Sequence, residues 1–187
     1  MTVRNFEDSA PQIAPSAYID ASALVIGAVT IGEDASLWPK VVARGDVNTI
    51  AIGARTNIQD GTILHVSHDS EFAPGGFALN IGADVTVGHQ AILHGCTVED
   101  RCLIGMAATV MDGAVVRSGA IVGAGSLVPP GRELEGGYLW VGSPARRVRA
   151  LRAGEAAFLD YSAAHYVQLK NRHMACVGSQ VAGRPGP

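Results

Sequence analysis

Aromatic residues are scarce in this chain. They make up 5% of its 187 residues, although 48% are hydrophobic. An interior with so few rings must be filled by small aliphatic side chains, which suits stacked short strands better than a globular α/β core. Cysteine is scarce too. Cys96, Cys102 and Cys176 form no CxxC pair and no even disulfide framework, which points to a reducing compartment and a cytoplasmic protein. Cys96 and Cys102 read as small buried hydrophobes. Basic charge is not in excess: a net charge of −3 leaves no electrostatic footprint for nucleic acid. Arg146, Arg147, Arg149 and Arg152 do gather late, and read as the solvated face at a helix start. No uninterrupted run of about 18 apolar residues exists, so no membrane span is expected. The stretch Met1 to Pro11 carries acids and lacks an apolar run, so it does not read as a signal peptide.

What the chain has is a period. A small aliphatic residue returns every sixth position: Ile13, Ile19, Val25, Ile31 and Leu37; then Ile52, Ile58 and Leu64; then Ile81, Val87 and Leu93; then Val98, Ile104, Val110, Val116, Val122 and Val128. A six-residue step holds one short strand and one corner. Three steps close a triangular coil, and coils stack about 4.8 Å apart through strand-to-strand hydrogen bonds. The aliphatic residue points into the prism. Glycine often follows it, as at Gly53 and Gly105, where a corner would use its conformational freedom. The expected fold is mainly β, a parallel β-helix over residues 11–130 within a single domain. A connector is expected at 131–152, an outer α-helix at 153–173 and a flexible tail at 178–187. Phe158, Tyr161, Ala164, His165 and Leu169 mark the helical stretch by their three-to-four spacing. Trp38 and Trp140 read as packing residues, and His165 and His173 as solvated residues of the outer helix.

Two insertions interrupt the repeat, and the step from Leu93 to Val98 is one residue short, a small corner adjustment. Ala43 to Ile52 is three residues too long, and Leu64 to Ile81 is eleven too long. The second insertion contains Pro74-Gly75-Gly76 and reads as an extruded loop.

The phase also sorts three histidines. His65 and His94 are both second residues on face three, one coil apart, so they should stack and converge on one metal. His89 is the third residue on face two and projects elsewhere. In a threefold trimer, face two of one chain meets face three of the next, and His89 then completes a three-nitrogen site with an open fourth position. Arg44 falls in the column of His65 and His94. Asp60, beside Gln59, falls in the column of His89, where a carboxylate would orient a ligating ring.

At these residues the chain resembles the gamma-class carbonic anhydrases. The likeness rests on Arg44-Gly45-Asp46, on Asn57-Ile58-Gln59-Asp60-Gly61 leading to His65, on Gly88-His89-Gln90 and on Leu93-His94-Gly95. Tyr138 to Ala145 and Tyr161-Ser162-Ala163 look like the short bacterial members. The resemblance implies a left-handed β-helix and a homotrimer. It implies zinc, with ferrous iron or cobalt as substitutes, held by His65, His94 and a neighbour's His89. It implies hydration of carbon dioxide to bicarbonate, with Gln59 orienting water and Arg44 and Asp46 pairing across subunits. The chain departs from the family at Val47, where a glutamate is usual, and at His68, which stands where a glutamate shuttles protons. His68 is the candidate shuttle. No match to the family's active-site asparagine is found, and Tyr161 is the candidate to approach that pocket. Two other readings compete. One is a metal-bearing structural or assembly protein without activity. The other is a hexapeptide acyltransferase, to which Gly142-Ser143-Pro144-Ala145 bears some likeness.

Overall fold

The computed structural model describes residues 2–180. The six-residue period becomes a parallel β-helix whose inward residues form three registered columns. On face one Ile13, Ile31, Ile52, Ile81, Val98, Val116 and Leu134 stack in order. On face two Ile19, Leu37, Ile58, Val87, Ile104, Val122 and Trp140 do the same. Face three stacks Val25, Ala43, Leu64, Leu93, Val110 and Val128. These side chains make one continuous core. Below Trp140, which ends face two, no large ring is needed, because each coil only fills the space above the last.

The period runs past the boundary expected at residue 130. Leu134 and Trp140 are two further six-residue steps, each paired to the coil below. The proline pair before Leu134 reads as a stop, and a tryptophan in place of a small aliphatic hid the last step. The rest of the expected connector is a hairpin. Strand Tyr138–Gly142 turns back antiparallel onto Ala145–Ala150. Arg146, Arg147 and Arg149 therefore lie on a strand and not at a helix start.

The glycines after the inward residues serve close approach, not unusual dihedrals. A Cβ on Gly53 would lie 2.4 Å from the backbone of Gly82 one coil away. The left-handed corners fall two residues further on, and in one column they are taken by Asp34, Arg55, Asp84 and Arg101, followed by Gly119 and Gly137.

That corner column carries alternating charge, and it holds the outer helix. Arg55 pairs with Asp84 through two bonds of 2.7 and 2.6 Å. Asp34 and Arg101 flank them, and each reaches the helix: Lys170 lies 2.8 Å from Asp34, and Arg101 is paired with Asp160 at 2.7 Å.

The helix, α1, spans Ala153–Gln180 and so exceeds the expected end at 173. The three-to-four spacing runs out near His173, yet the helix continues through Gly178 to Gln180. Expected tail residues 178–180 are thus helical, and 181–187 lie outside the described residues. The Glu155 carboxylate accepts from the Arg152 backbone N–H at 2.8 Å and closes the first turn. The buried stripe is Leu159, Ser162, Ala163 and Lys170. That is one residue out of step with the expected apolar face, and Phe158 and Tyr161 point outward at 48% and 61% exposure. The reason is contact distance: small Ser162 and Ala163 let the helix lie close on face two. His173 lies on the outer helix as expected, yet packs edge-on against Trp38, ring centroids 5.0 Å apart. Among the described residues, no helix is long and apolar enough to cross a membrane.

Candidate metal centre

Face three supplies the first half of the site. Leu64 and Leu93 point inward and stack, so the next residues on each strand, His65 and His94, turn outward in register. Their rings are close: His65 Nδ1 lies 3.0 Å from His94 Nε2. Two nitrogens bonded at about 2.0 Å to one tetrahedral metal sit about 3.3 Å apart, so this pair is nearly at ligating separation.

Each ring is oriented by a carboxylate at its other nitrogen. His65 Nε2 is 3.1 Å from Asp46, and His94 Nδ1 is 2.9 Å from Asp112. Asp46 gets there because of the three-residue insertion. The strand Val42–Ile52 slips register between Gly45 and Ile50, and the bulge aims Asp46 sideways at His65. Arg44 donates to the same carboxylate at 2.5 Å. Burial opposes ionisation of Asp46, but the donors from Arg44 and His65 outweigh it and hold the carboxyl below its usual range. Asp112 behaves alike: burial raises it, while Ser67 and His94 bring it below the carboxylate norm. Burial, aided by the Arg44 charge, lowers His65 and favours its neutral, ligating form.

Asp112 and Ser67 escaped the sequence reading. Asp112 sits third in the hexapeptide begun by Val110, one coil beyond His94. That position was a usable signal, because the corner there leans back toward the histidine column.

Face two supplies His89. Its Nδ1 lies 2.9 Å from Asp60, the residue stacked beneath it. All three histidines are thus backed by a carboxylate, and each keeps one ring nitrogen clear of it. His89 borders a groove of about 420 Å³ between face two and α1, lined among others by Gln59, Met106, Phe158, Ser162 and Tyr166. Gln59 is 6% exposed and donates through Nε2 to Asn57 at 3.1 Å. It therefore belongs to the His89 side of the chain.

The other candidates lie apart from these two half-sites. His68 is exposed at the base of the eleven-residue insertion, which folds into a hairpin bridged at Ser67–Phe77 and Ser70–Ala73. Tyr161 stacks on His165, ring centroids 5.8 Å apart, and does not line the groove. Tyr166 does line it; burial and the Asp60 charge raise its hydroxyl above the usual range. Cys96 and Cys102 are buried thiols, both pushed up to about 12 by desolvation, and are unsuited to ligation.

Among the described residues of one chain, no three such groups converge on a metal. The donor set still fits one. Two nitrogens nearly in place, backed by carboxylates, are a chelate lacking a third ligand, and the third carboxylate-backed imidazole lies on another face.

No family model matches the chain. Individual proteins do. It is 52% identical to Protein YrdA of Escherichia coli over 92% of this chain and 94% of that one. It is 43% identical to the probable carbonic anhydrase of Methanocaldococcus jannaschii over 84% of this chain and 94% of that one. It is 45% identical to the mitochondrial gamma carbonic anhydrase 1 of Arabidopsis thaliana over 93% of this chain, which spans 63% of the plant protein. Among solved structures, a hexapeptide transferase family protein from Anaplasma phagocytophilum superposes with a TM-score of 0.83 at 37% identity, covering 91% of this chain and 96% of that one. On this likeness across nearly its whole length, and on a hexapeptide-repeat fold, the chain belongs to the gamma carbonic anhydrase family.

Proposed function

We propose that the protein is a cytoplasmic, zinc-dependent carbonic anhydrase that interconverts carbon dioxide and bicarbonate at sites shared between subunits of a homotrimer. The observation that carries this reading is the division of three carboxylate-backed histidines between two faces of one prism. His65 and His94 hold the metal from one chain, and the partner subunit's His89 supplies the third nitrogen. Zinc suits this nitrogen set, with ferrous iron or cobalt as substitutes. Bound there with a position open, the ion supplies a water-derived nucleophile at neutral pH.

The chain's own residues do the rest. Asp46, Asp112 and Asp60 fix the rings so that the ligating nitrogens are presented without reorganisation. Gln59 holds water in line by hydrogen bonding. Ile63 and Ile92, at 38% and 42% exposure, flank His65 and His94, while Met106 stacks above His89 at 56%. Brought together, these side chains exclude bulk water and offer an apolar approach for an uncharged gas. His68, on its exposed hairpin, passes the proton to buffer.

Complementation tests the reading. His89→Ala and His94→Ala should each bind no metal and hydrate no carbon dioxide in stopped-flow assays. Mixed and reassembled, they should regain about a quarter of the sites, where an intact pair meets an intact His89. The native mass should be about 58 kDa, three times the 19.3 kDa chain. A monomer, or metal retained by His89→Ala, overturns the shared site. A metal-loaded trimer without hydration activity would leave a structural role for the metal, and acetyl-coenzyme A binding would mark a transferase.

A further inference from the structure

We infer that helix α1 acts on the reaction at a distance: the Ser162 hydroxyl, through Thr86 and Asn57, sets the amide of Gln59 so that its oxygen faces the groove beside His89. This rests on the proposed role of Gln59 and adds three positioning residues to it.

Four side chains form one buried line. Ser162 Oγ lies 2.8 Å from Thr86 Oγ1. Thr86 Oγ1 accepts from Asn57 Nδ2 at 2.9 Å, and Asn57 Oδ1 accepts from Gln59 Nε2 at 3.1 Å. None of the four is more than 6% exposed. The direction of the chain follows from donor and acceptor chemistry. Asn57 Nδ2 also faces the Val85 carbonyl, which can only accept, so the Asn57 amide has one satisfying orientation. Its oxygen is then left toward Gln59, which must answer with its nitrogen. Among the described residues no buried side-chain nitrogen or oxygen lacks a partner. Gln59 Oε1 is bonded to none of them, so it lies open to the groove that Gln59 lines.

The terminal amide torsion of glutamine is broad and close to two-fold, so packing alone selects its two faces poorly. Hydrogen bonding selects them here. A flipped Gln59 would set its oxygen against the Asn57 oxygen and turn two N–H donors to the groove. An acceptor there can take a proton-bearing water and orient its lone pair; a donor cannot. Thr86 Oγ1 accepts from Asn57 and finds its other side-chain partner only in Ser162, whose hydroxyl therefore fixes where the Thr86 proton and lone pairs point. The helix therefore reaches the reacting groups through three hydrogen bonds without touching them.

The test uses the full-length, metal-loaded protein. Thr86→Val keeps the shape and removes the hydroxyl; Ser162→Ala removes the far end; Ser162→Thr restores a hydroxyl. We expect kcat for carbon dioxide to fall about 10-fold in Thr86→Val and about 3-fold in Ser162→Ala, with KM little changed and with recovery in Ser162→Thr. In a Gln59→Ala background Thr86→Val should have no further effect, because the residues act as one unit. Independently of turnover, the Gln59 side-chain amide NMR signals should shift and exchange faster in Ser162→Ala. A Thr86→Val effect that persists without Gln59, or Gln59 signals unmoved by Ser162→Ala, overturns the relay. A wild-type protein that hydrates no carbon dioxide overturns the function proposed above, while the amide signals still decide the relay.

Discussion

Faces two and three are built from the same hexapeptide, yet they solve different problems. On face three the histidines are adjacent in register, partly buried and fully oriented within one chain. On face two a single histidine stands 45% exposed beside a carboxylate that is 48% exposed. One face holds two imidazoles at nearly ligating separation, and the other a single exposed one. The difference comes from what fills the same position one coil away. His65 stacks on a second histidine, whereas His89 has Asp60 below it and Met106 above.

Substitutions can break this contrast or sharpen it. The largest effect belongs to His94→Ala, which should abolish metal binding outright, measured as metal per chain after dialysis. Next comes Asp112→Asn, expected to weaken zinc 10- to 100-fold in competition with a chelator, because it frees a ring whose other nitrogen must stay aimed. Asp60→Asn should cost less, near the lower end of that range, since water can replace an exposed carboxylate. An equal loss at both sites would remove the distinction between the faces.

Stability predictions concern the helix that covers face two. Asp34→Asn keeps the left-handed corner but removes the counter-charge of Lys170, whose side chain is only 2% exposed. Left with the Asn171 oxygen at 2.6 Å but no counter-ion, the buried ammonium should cost about 3 kcal/mol and lower the midpoint of urea unfolding, with face three less affected. The smallest effect is at the helix start. Arg149 and the Arg152 backbone bring Glu155 down to about 2. A carboxyl lowered on folding stabilises above its unfolded value near 4.5 and loses that contribution as pH falls through about 2. Glu155→Gln should thus reduce thermal stability at pH 7 and make no difference near pH 2.

Much of this was legible because hexapeptide phase is a coordinate system. The stacking of His65 on His94, the placement of Asp60 under His89 and the column of Arg44 all follow from counting sixes. Counting failed where the step or the residue type changed. Leu134 continues its column beyond a proline pair, and Trp140 continues its own with a ring unlike its predecessors. The inner face of α1 was misread by one residue because it is small and polar, with Ser162 and Lys170 where leucines would be expected. Asp112 was missed because its contact with His94 is made across a corner.

The sequence by itself determined the β-helix, the two-and-one division of the histidines and the position of both insertions, since each is a consequence of a fixed repeat. The tertiary structure alone decided which carboxylates back His65 and His94, how the charged corner ties down the helix and how Ser162 reaches Gln59. Those contacts join residues 18 to 136 positions apart through side-chain direction, corner geometry and helix rotation. A one-dimensional period carries no information about any of the three.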